Sequence, residues 1–598
     1  MRGEEVNRIP KRALTATLAF VAALGLTPGC RRTEPARAAQ APAAPAAPAI
    51  PEAPVEPAGP PSPEVQAAVQ GIVESARHPW LTWPEIATVE PLKVLYAAEP
   101  DGLFWFAGET AHPALAEALS TLARAEVFGL SPADYDAPLL AEKWKAVAAG
   151  ASPTPAQRAQ FDVALTISAM RLLQTVHWGR VDPRLVGFDY DVTTKRLDLA
   201  TELRTARDAG GLSAGVAAAE PQFPVYRRLV KALADYRALA AAGEPETVPA
   251  LAAKQKKVEP GKPWPGVPAL AARLRALGDL PADAPAPETA PDGTPLYAGA
   301  LVDAVKSFQG RHALEPDGVI GPGTIDALNV PVATRVRQLE LALERERWLP
   351  EMRREPHVFV NVPLFRLWAY DPDRPDETVR MNVVVGKTLG HKTPIFVEQM
   401  EYVIFRPYWN PPPSIIRHEI VPKARRDASY LDRQNMEIVA SGDEGAAALA
   451  PTPENLDKVV AGKLFIRQKP GEKNSLGLAK FIFPNAENVY MHGTPAQSLF
   501  ARARRDFSHG CIRLEDPARL GEWVLRNNPD WTRERIEAAM QGSRPTQVNL
   551  KEKLTVFIFY DTAYVDSKGV VHFTDDYYGH DAQLEKALAH GYPYPRKS

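Results

Sequence analysis

Two cysteines in 598 residues, Cys30 and Cys511, exclude a disulfide framework as what holds this chain together. Charge of one sign is equally scarce. The 70 Lys and Arg stand against 72 Asp and Glu, a net charge of −2, so no basic surplus points to nucleic acid. The apolar run at residues 13–26 is too short to span a bilayer comfortably. Histidine is sparse, with 12 in all, so two of them close to a cysteine carry weight. The length itself calls for several domains.

What is present converges on one stretch. Tyr490-Met491-His492-Gly493-Thr494 is followed by Ser508-His509-Gly510-Cys511-Ile512-Arg513. A thiol needs a neighbouring base to act as a nucleophile near neutral pH, and His is the usual one. Residues 489–491 read as a short strand running into His492. Residues 508–514 read as a turn into a second strand, with Gly510 letting the backbone bend at the thiol. Two adjacent strand ends would bring His492 to Cys511. Asp516-Pro517 then reads as the cap and first turn of a helix carrying Leu520, Val524 and Leu525. Residue types alone leave two other readings open. Cys511 can be a small buried hydrophobe, or His492, His509 and Cys511 can be metal ligands, although zinc sites of that kind need a fourth ligand and show shorter spacings.

The stretch resembles the active-site signature of the L,D-transpeptidases with a YkuD-type catalytic domain. His492, Ser508, His509, Gly510, Cys511, Ile512 and Arg513 match it, and Leu514 stands where Asn is frequent. The resemblance implies Cys511 as nucleophile, His492 as base oriented by the carbonyl of Gly493, and His509 as support for the oxyanion or substrate. It implies an oxyanion held near Gly510 and Cys511, and substrate contacts from Arg513, Ser508, Tyr490 and Asn410. It implies neither metal nor cofactor. The reaction implied takes a peptidoglycan tetrapeptide stem through a thioester, releases the terminal D-Ala and makes a 3→3 crosslink; carbapenems should acylate the same thiol. Alternatives are trimming of stems with water, attachment of lipoproteins, or a wall-binding protein with a degenerate catalytic domain.

The expected architecture is multidomain: a β-rich YkuD-like catalytic domain, an α-helical scaffold and a small three-helix peptidoglycan-binding-like domain. In residues 1–30, Arg8, Lys11 and Arg12 precede the apolar run, and Gly29-Cys30 closes it. This resembles a bacterial lipoprotein signal with lipid added at Cys30, which implies a membrane-anchored protein of the periplasm or cell envelope. Residues 31–65 are rich in Ala and Pro and read as a semi-rigid spacer. Residues 66–255 have a helical pattern, with an apolar face over 160–178 and a second helix around Leu229, Leu233 and Leu239. Trp178-Gly179-Arg180-Val181-Asp182-Pro183 resembles a phrase in the scaffold of the larger, YcbB-type enzymes. Residues 256–265 read as a linker. Residues 266–332 resemble a peptidoglycan-binding type 1 domain through Asp317-Gly318, Gly321 and Thr324.

The catalytic domain is expected over 336–565. It begins with a connecting helix at 336–349 carrying Arg345 and Trp348, and continues with strands at 356–363, 365–370, 380–385 and 400–406. A capping insertion at 414–466, of mixed helical pattern, reads as a lid beside the cleft. Residues 545–598, with 566–598 as a C-terminal extension, complete the unit through a β-hairpin of 556–560 and 570–573 and a short helix at 582–589. The expected partners are the stem peptides and glycan of peptidoglycan, and a membrane through the lipid.

Overall fold

The computed structural model describes residues 62–99, 102–149, 153–351, 355–443 and 445–594. The leader at 1–30 with Cys30, and the spacer up to residue 61, lie outside the described residues.

The C-terminal domain is built on β1 (His357–Asn361), β2 (Arg366–Tyr370), β3 (Val379–Gly386), β4 (Ile395–Phe405), β5 (Ala479–Ile482), β6 (Met491–His492), β7 (Asp506–Ser508), β8 (Ile512–Leu514) and β9 (Thr546–Phe559). β-branched and aromatic residues dominate these segments and suit a pleated, half-buried surface. The order β5–β6–β8–β3–β2–β1–β9–β4 returns on itself, because β4 also pairs with β5. The sheet therefore closes into a barrel, which leaves no free edge along that path. β7 pairs with β3 outside the ring. Alternation sends Val360, Leu367, Val383, Phe481, Met491 and Ile512 into one continuous core.

The hairpin expected from 556–560 and 570–573 does not form. Residues 556–559 belong to β9, which is pinned between β1 and β4. Both its edges are taken, so Val571–Phe573 pairs with Ala563–Val565 instead.

In the scaffold, α1 (Pro155–Trp178) starts from a capping box at Thr154 and Gln157. It is not the one-faced helix expected over 160–178. Asp162, Thr166, Ser168 and Arg171 are buried along with Phe161 and Leu172, so the scaffold wraps it on all sides. Its buried carboxylate is satisfied: Asp162 accepts from Tyr96 Oη at 2.5 Å and from the N–H groups of Phe104 at 3.0 Å and Trp105 at 2.6 Å. α2 (Pro224–Ala241) packs Tyr226, Leu229 and Leu233 against Leu339, Ala342 and Leu343 of the connecting helix α3 (Val332–Glu346). The 178–183 phrase is seated on the same helix. Glu344 accepts from Arg180 Nε and from the Val181 N–H, both at 3.1 Å. Gly179 has φ of +79°, and a Cβ there would lie 2.6 Å from the indole nitrogen of Trp348.

Residues 256–265 are not a free linker. Val258 exchanges backbone hydrogen bonds of 2.9 and 3.0 Å with Ile320. Trp264 is buried with Val267, Leu270, Val305 and Ile325 in the core of the small domain. The insertion between β4 and β5 has a core of its own around Ile420, Leu431, Ile438, Leu456 and Ile466. It carries a three-stranded antiparallel sheet, Ala448–Leu449, Met436–Val439 and Phe465–Gln468, which a purely helical reading of 414–466 omits. Among the described residues no helix is long and apolar enough to cross a membrane.

Where α3 meets the end of β9, Arg345, Glu346 and Asp561 are all buried. Arg345 Nη1 lies 2.7 Å from Asp581 and 3.8 Å from Asp561. Burial pushes the Glu346 carboxyl up to about 8, and burial together with repulsion from Glu346 pushes Asp561 well above the carboxylate range. A carboxyl with a raised folded pKa gives stability that is complete at low pH and lost as pH climbs through the folded value. Glu346→Gln should therefore raise the thermal midpoint at pH 9 by about 2–4 °C and leave it nearly unchanged at pH 5. Calorimetry at the two pH values checks this; equal shifts at both would show that Glu346 is already ionised in the fold.

Candidate active site

The site is a consequence of strand register. β6 lies between β5, antiparallel, and β8, parallel. Phe481, Met491 and Ile512 pair across the three strands and face the core. The next row, Lys480, His492 and Arg513, is therefore on the other face, with about 4.8 Å from strand to strand. Cys511 and Tyr490 each sit two residues before a member of that row, so they share its face. The register thus places His492, Cys511, Tyr490 and Arg513 on one face, together with Lys480.

Cys511 is half-buried and is the one cysteine among the described residues. Tyr490 supplies hydrogen bonds to its sulfur from both backbone and side chain. Lys480 Nζ stands 3.9 Å from the centroid of the Tyr490 ring. His492 is buried, and its Nδ1 lies 2.5 Å from the Gly493 carbonyl oxygen. That carbonyl accepts the Nδ1 proton, which makes Nε2 the acceptor nitrogen of a neutral imidazole, and the Leu476 backbone also bonds to the ring. Burial, followed by the field of Arg513, lowers His492 to about 3; the Gly493 carbonyl opposes the shift and Lys480 adds to it. Burial likewise pushes the Cys511 thiol up, against hydrogen bonds from Tyr490 and the charges of Lys480 and Arg513. At neutral pH the resting pair is a thiol and a neutral imidazole, not an ion pair.

The turn before the thiol is tightly specified. Gly510 has φ of +116°, a conformation that favours glycine. The Ser508 hydroxyl donates to the Cys511 carbonyl at 2.6 Å and accepts from the Gly510 N–H at 3.2 Å. Ser508 is only 2% exposed, so the hydroxyl expected at the substrate instead builds the turn. The Gly510 amide, expected at an oxyanion, is committed to that hydroxyl, and the Cys511 N–H is the amide left beside the sulfur. Thr393 Oγ1 donates to the Gly510 carbonyl at 2.7 Å, and the Tyr578 hydroxyl donates to the Gly386 carbonyl at 2.6 Å.

His509 is half-buried and points to the insertion, where its Nε2 lies 2.9 Å from Glu419 Oε1. Its ring is 4.6 Å from that of His391. Asn410 is exposed at the entrance to the insertion and makes no hydrogen bond to this cluster. Its neighbours belong to the insertion: Trp409 exchanges backbone bonds of 3.1 and 2.8 Å with Gln468, and Arg467 lies over the Tyr408 ring. Among the described residues no group of three or more His, Cys, Asp or Glu is placed to hold a metal ion.

Residues 355–553 match the family described as L,D-transpeptidase catalytic domain, residues 90–233 match the scaffold domain, and residues 265–328 match the "Putative peptidoglycan binding domain". Residues 355–553 thus carry an L,D-transpeptidase catalytic domain. The chain's three modules follow the YcbB-type arrangement. A protein of Haemophilus influenzae named "Putative L,D-transpeptidase" is 27% identical over 292 residues, 48% of this chain and 56% of that protein. The chain thus spans little more than half the length of that relative. A solved L,D-transpeptidase from Xylanimonas cellulosilytica, 15% identical, covers 52% of this chain and 100% of its own at a TM-score of 0.16, too low to bear on the fold.

Several residues of this L,D-transpeptidase site escape a reading of the signature. Lys480, Thr393, Glu419 and Tyr578 come from segments 12 to 99 positions away from it. Only Lys480 leaves a trace in sequence, as the one charge in the otherwise apolar strand Ala479–Ile482.

The resting protonation states make a testable difference. Because the thiol is pushed up, alkylation of Cys511 by iodoacetamide should rise with pH beyond the ordinary thiol range, with no thiolate plateau below pH 8. Intact-mass rates across pH 6–10 check it; a plateau centred below pH 7 would mean that a thiolate exists at rest.

Proposed function

We propose that this chain is a cysteine-dependent L,D-transpeptidase that takes peptidoglycan tetrapeptide stems through a thioester on Cys511. The observation that supports this most is a neutral, carbonyl-oriented His492 on the same sheet face as the thiol. The Cys511 sulfur bonds to the carbonyl carbon of the stem's L-centre while its proton passes to His492 Nε2. His492 returns that proton to the departing D-Ala nitrogen as the C–N bond breaks. The Cys511 N–H is the donor available to the oxyanion. An amine from a second stem then attacks the thioester and gives its proton to His492; the C–S bond breaks and the sulfur is reprotonated. A diamino acid amine as acceptor gives a 3→3 crosslink. Water as acceptor gives a carboxypeptidase, and a lipoprotein acceptor or donor gives the remaining variants.

Arg513, which has no carboxylate partner among the described residues, would meet a carboxylate of the stem. The insertion, bound to His509 through Glu419, narrows the approach to the thiol. The small domain would hold glycan. The protein would work in the cell envelope, tethered by lipid on Cys30.

Cys511→Ala should cut crosslinking by at least ~10³-fold without unfolding the chain, and His492→Ala should cost more than His509→Ala. Mass spectrometry of muropeptides after incubation with each variant reads this, and near-normal crosslinking by Cys511→Ala would end the proposal. Intact mass after meropenem should show one adduct that is absent from Cys511→Ala, with little labelling by ampicillin; equal labelling by both would remove the steric role of the insertion.

The tether has its own test. Cys30→Ala should move the protein out of the membrane fraction or stall its processing, while the folded domains keep their activity. Unchanged fractionation would rule out lipid at Cys30.

A further inference from the structure

The row Lys480–His492–Arg513 places a cation on each side of the base. Neither cation has a carboxylate within ion-pair distance among the described residues, whereas Arg504 nearby has Asp506 at 2.7 Å. Lys480 is half-buried against the Tyr490 ring, whose hydroxyl bonds to the Cys511 sulfur. A partly desolvated ammonium beside a reacting sulfur, with only an aromatic face for company, is a vacancy for an anion. Nothing in the signature accounts for it.

The geometry of acyl transfer says which anion. When a scissile amide nitrogen faces His492 Nε2, a carboxylate on the same departing residue is one carbon further on. One strand spacing, about 4.8 Å, separates the His492 backbone from that of each cation, so both flank the base and a group beside the departing nitrogen comes within their reach. An internal peptide residue has an amide there and cannot fill the position with charge. We propose that Lys480, together with Arg513, recognises the free terminal carboxylate of the donor stem and so confines the thiol to the last peptide bond. This rests on the acyl-transfer reading above. Lys480 is the residue it adds, as a determinant of which peptides are donors. Binding the carboxylate also offsets the two charges that disfavour an imidazolium, so the base gains proton affinity only when the correct donor is present.

The test uses the full chain and two synthetic donor tetrapeptides that differ only in a terminal carboxylate or carboxamide. Release of D-alanine or D-alaninamide is followed by mass spectrometry, and the Cys511 thioester by intact mass. Wild type should favour the carboxylate donor by at least ~10-fold in kcat/KM, as a site built around one polar group discriminates against its absence. Lys480→Met should bring that ratio close to one, chiefly through KM for the carboxylate donor, and Lys480→Arg should restore most of it. Circular dichroism of each variant guards against unfolding, and Lys480→Arg carries the test if Lys480→Met fails to fold, since it must keep the preference. Indifference of wild type to amidation, or an equal loss on both donors in Lys480→Met, would overturn the assignment while leaving acyl transfer intact. If wild type consumes neither donor and forms no thioester, the acyl-transfer reading fails first and this one with it.

Discussion

The site depends on the register of a two-residue strand. Met491 and His492 lie between β5 and β8, and Met491 is locked by packing between Phe481 and Ile512 in the barrel core. Each of those apolar side chains contributes roughly 2 kcal/mol by burial. A slip of one residue would turn Met491 outward and put His492 into hydrocarbon, so the core row enforces the polar row on the opposite face. The Gly493 carbonyl then fixes the imidazole ring, and the Ser508 hydroxyl fixes the turn that presents the sulfur.

Electrostatics decides how that geometry is used. A cation one strand away acts on an imidazolium with roughly 3 kcal/mol at ~5 Å and an effective dielectric of ~20, and there are two of them. A single hydrogen bond to the Gly493 carbonyl contributes about 1 kcal/mol in the opposite direction. The cations and burial win, the imidazole stays neutral, and the thiol keeps its proton at rest. This differs from cysteine hydrolases that rest as a thiolate–imidazolium pair. A neutral thiol is less exposed to stray electrophiles and oxidants than a thiolate.

Much of this was legible in the sequence, and the parts that were not have physical reasons. The gathering of His492, Tyr490 and Arg513 around Cys511 follows from motif spacing plus the period-two rule for strands. Lys480 was invisible because its meaning comes from pairing with His492, and a strand partner is not a sequence neighbour. Ser508 was misread because a hydroxyl in a motif looks the same whether it faces substrate or closes a turn. The hairpin at 556–573 failed because two apolar strands in succession suggest each other, while the long-range claims of β1 and β4 on β9 leave no local mark. In α1, apolar periodicity marked one face; the buried Asp162 and Arg171 on the others are compensated by partners far along the chain. The insertion's sheet escaped for a related reason, since its strands are only two to four residues long.

The last segment of the chain has a bearing on the catalytic turn. Tyr578, beyond the barrel, holds the Gly386 carbonyl and lies 3.2 Å from the Thr393 amide, and Thr393 in turn holds the carbonyl of Gly510. The turn that presents the thiol is thus braced from a segment 67 positions further along the chain. Loss of that segment would free the Gly386 carbonyl and the Thr393 amide, and the turn would lose its outer support with the barrel's strand pairing unchanged.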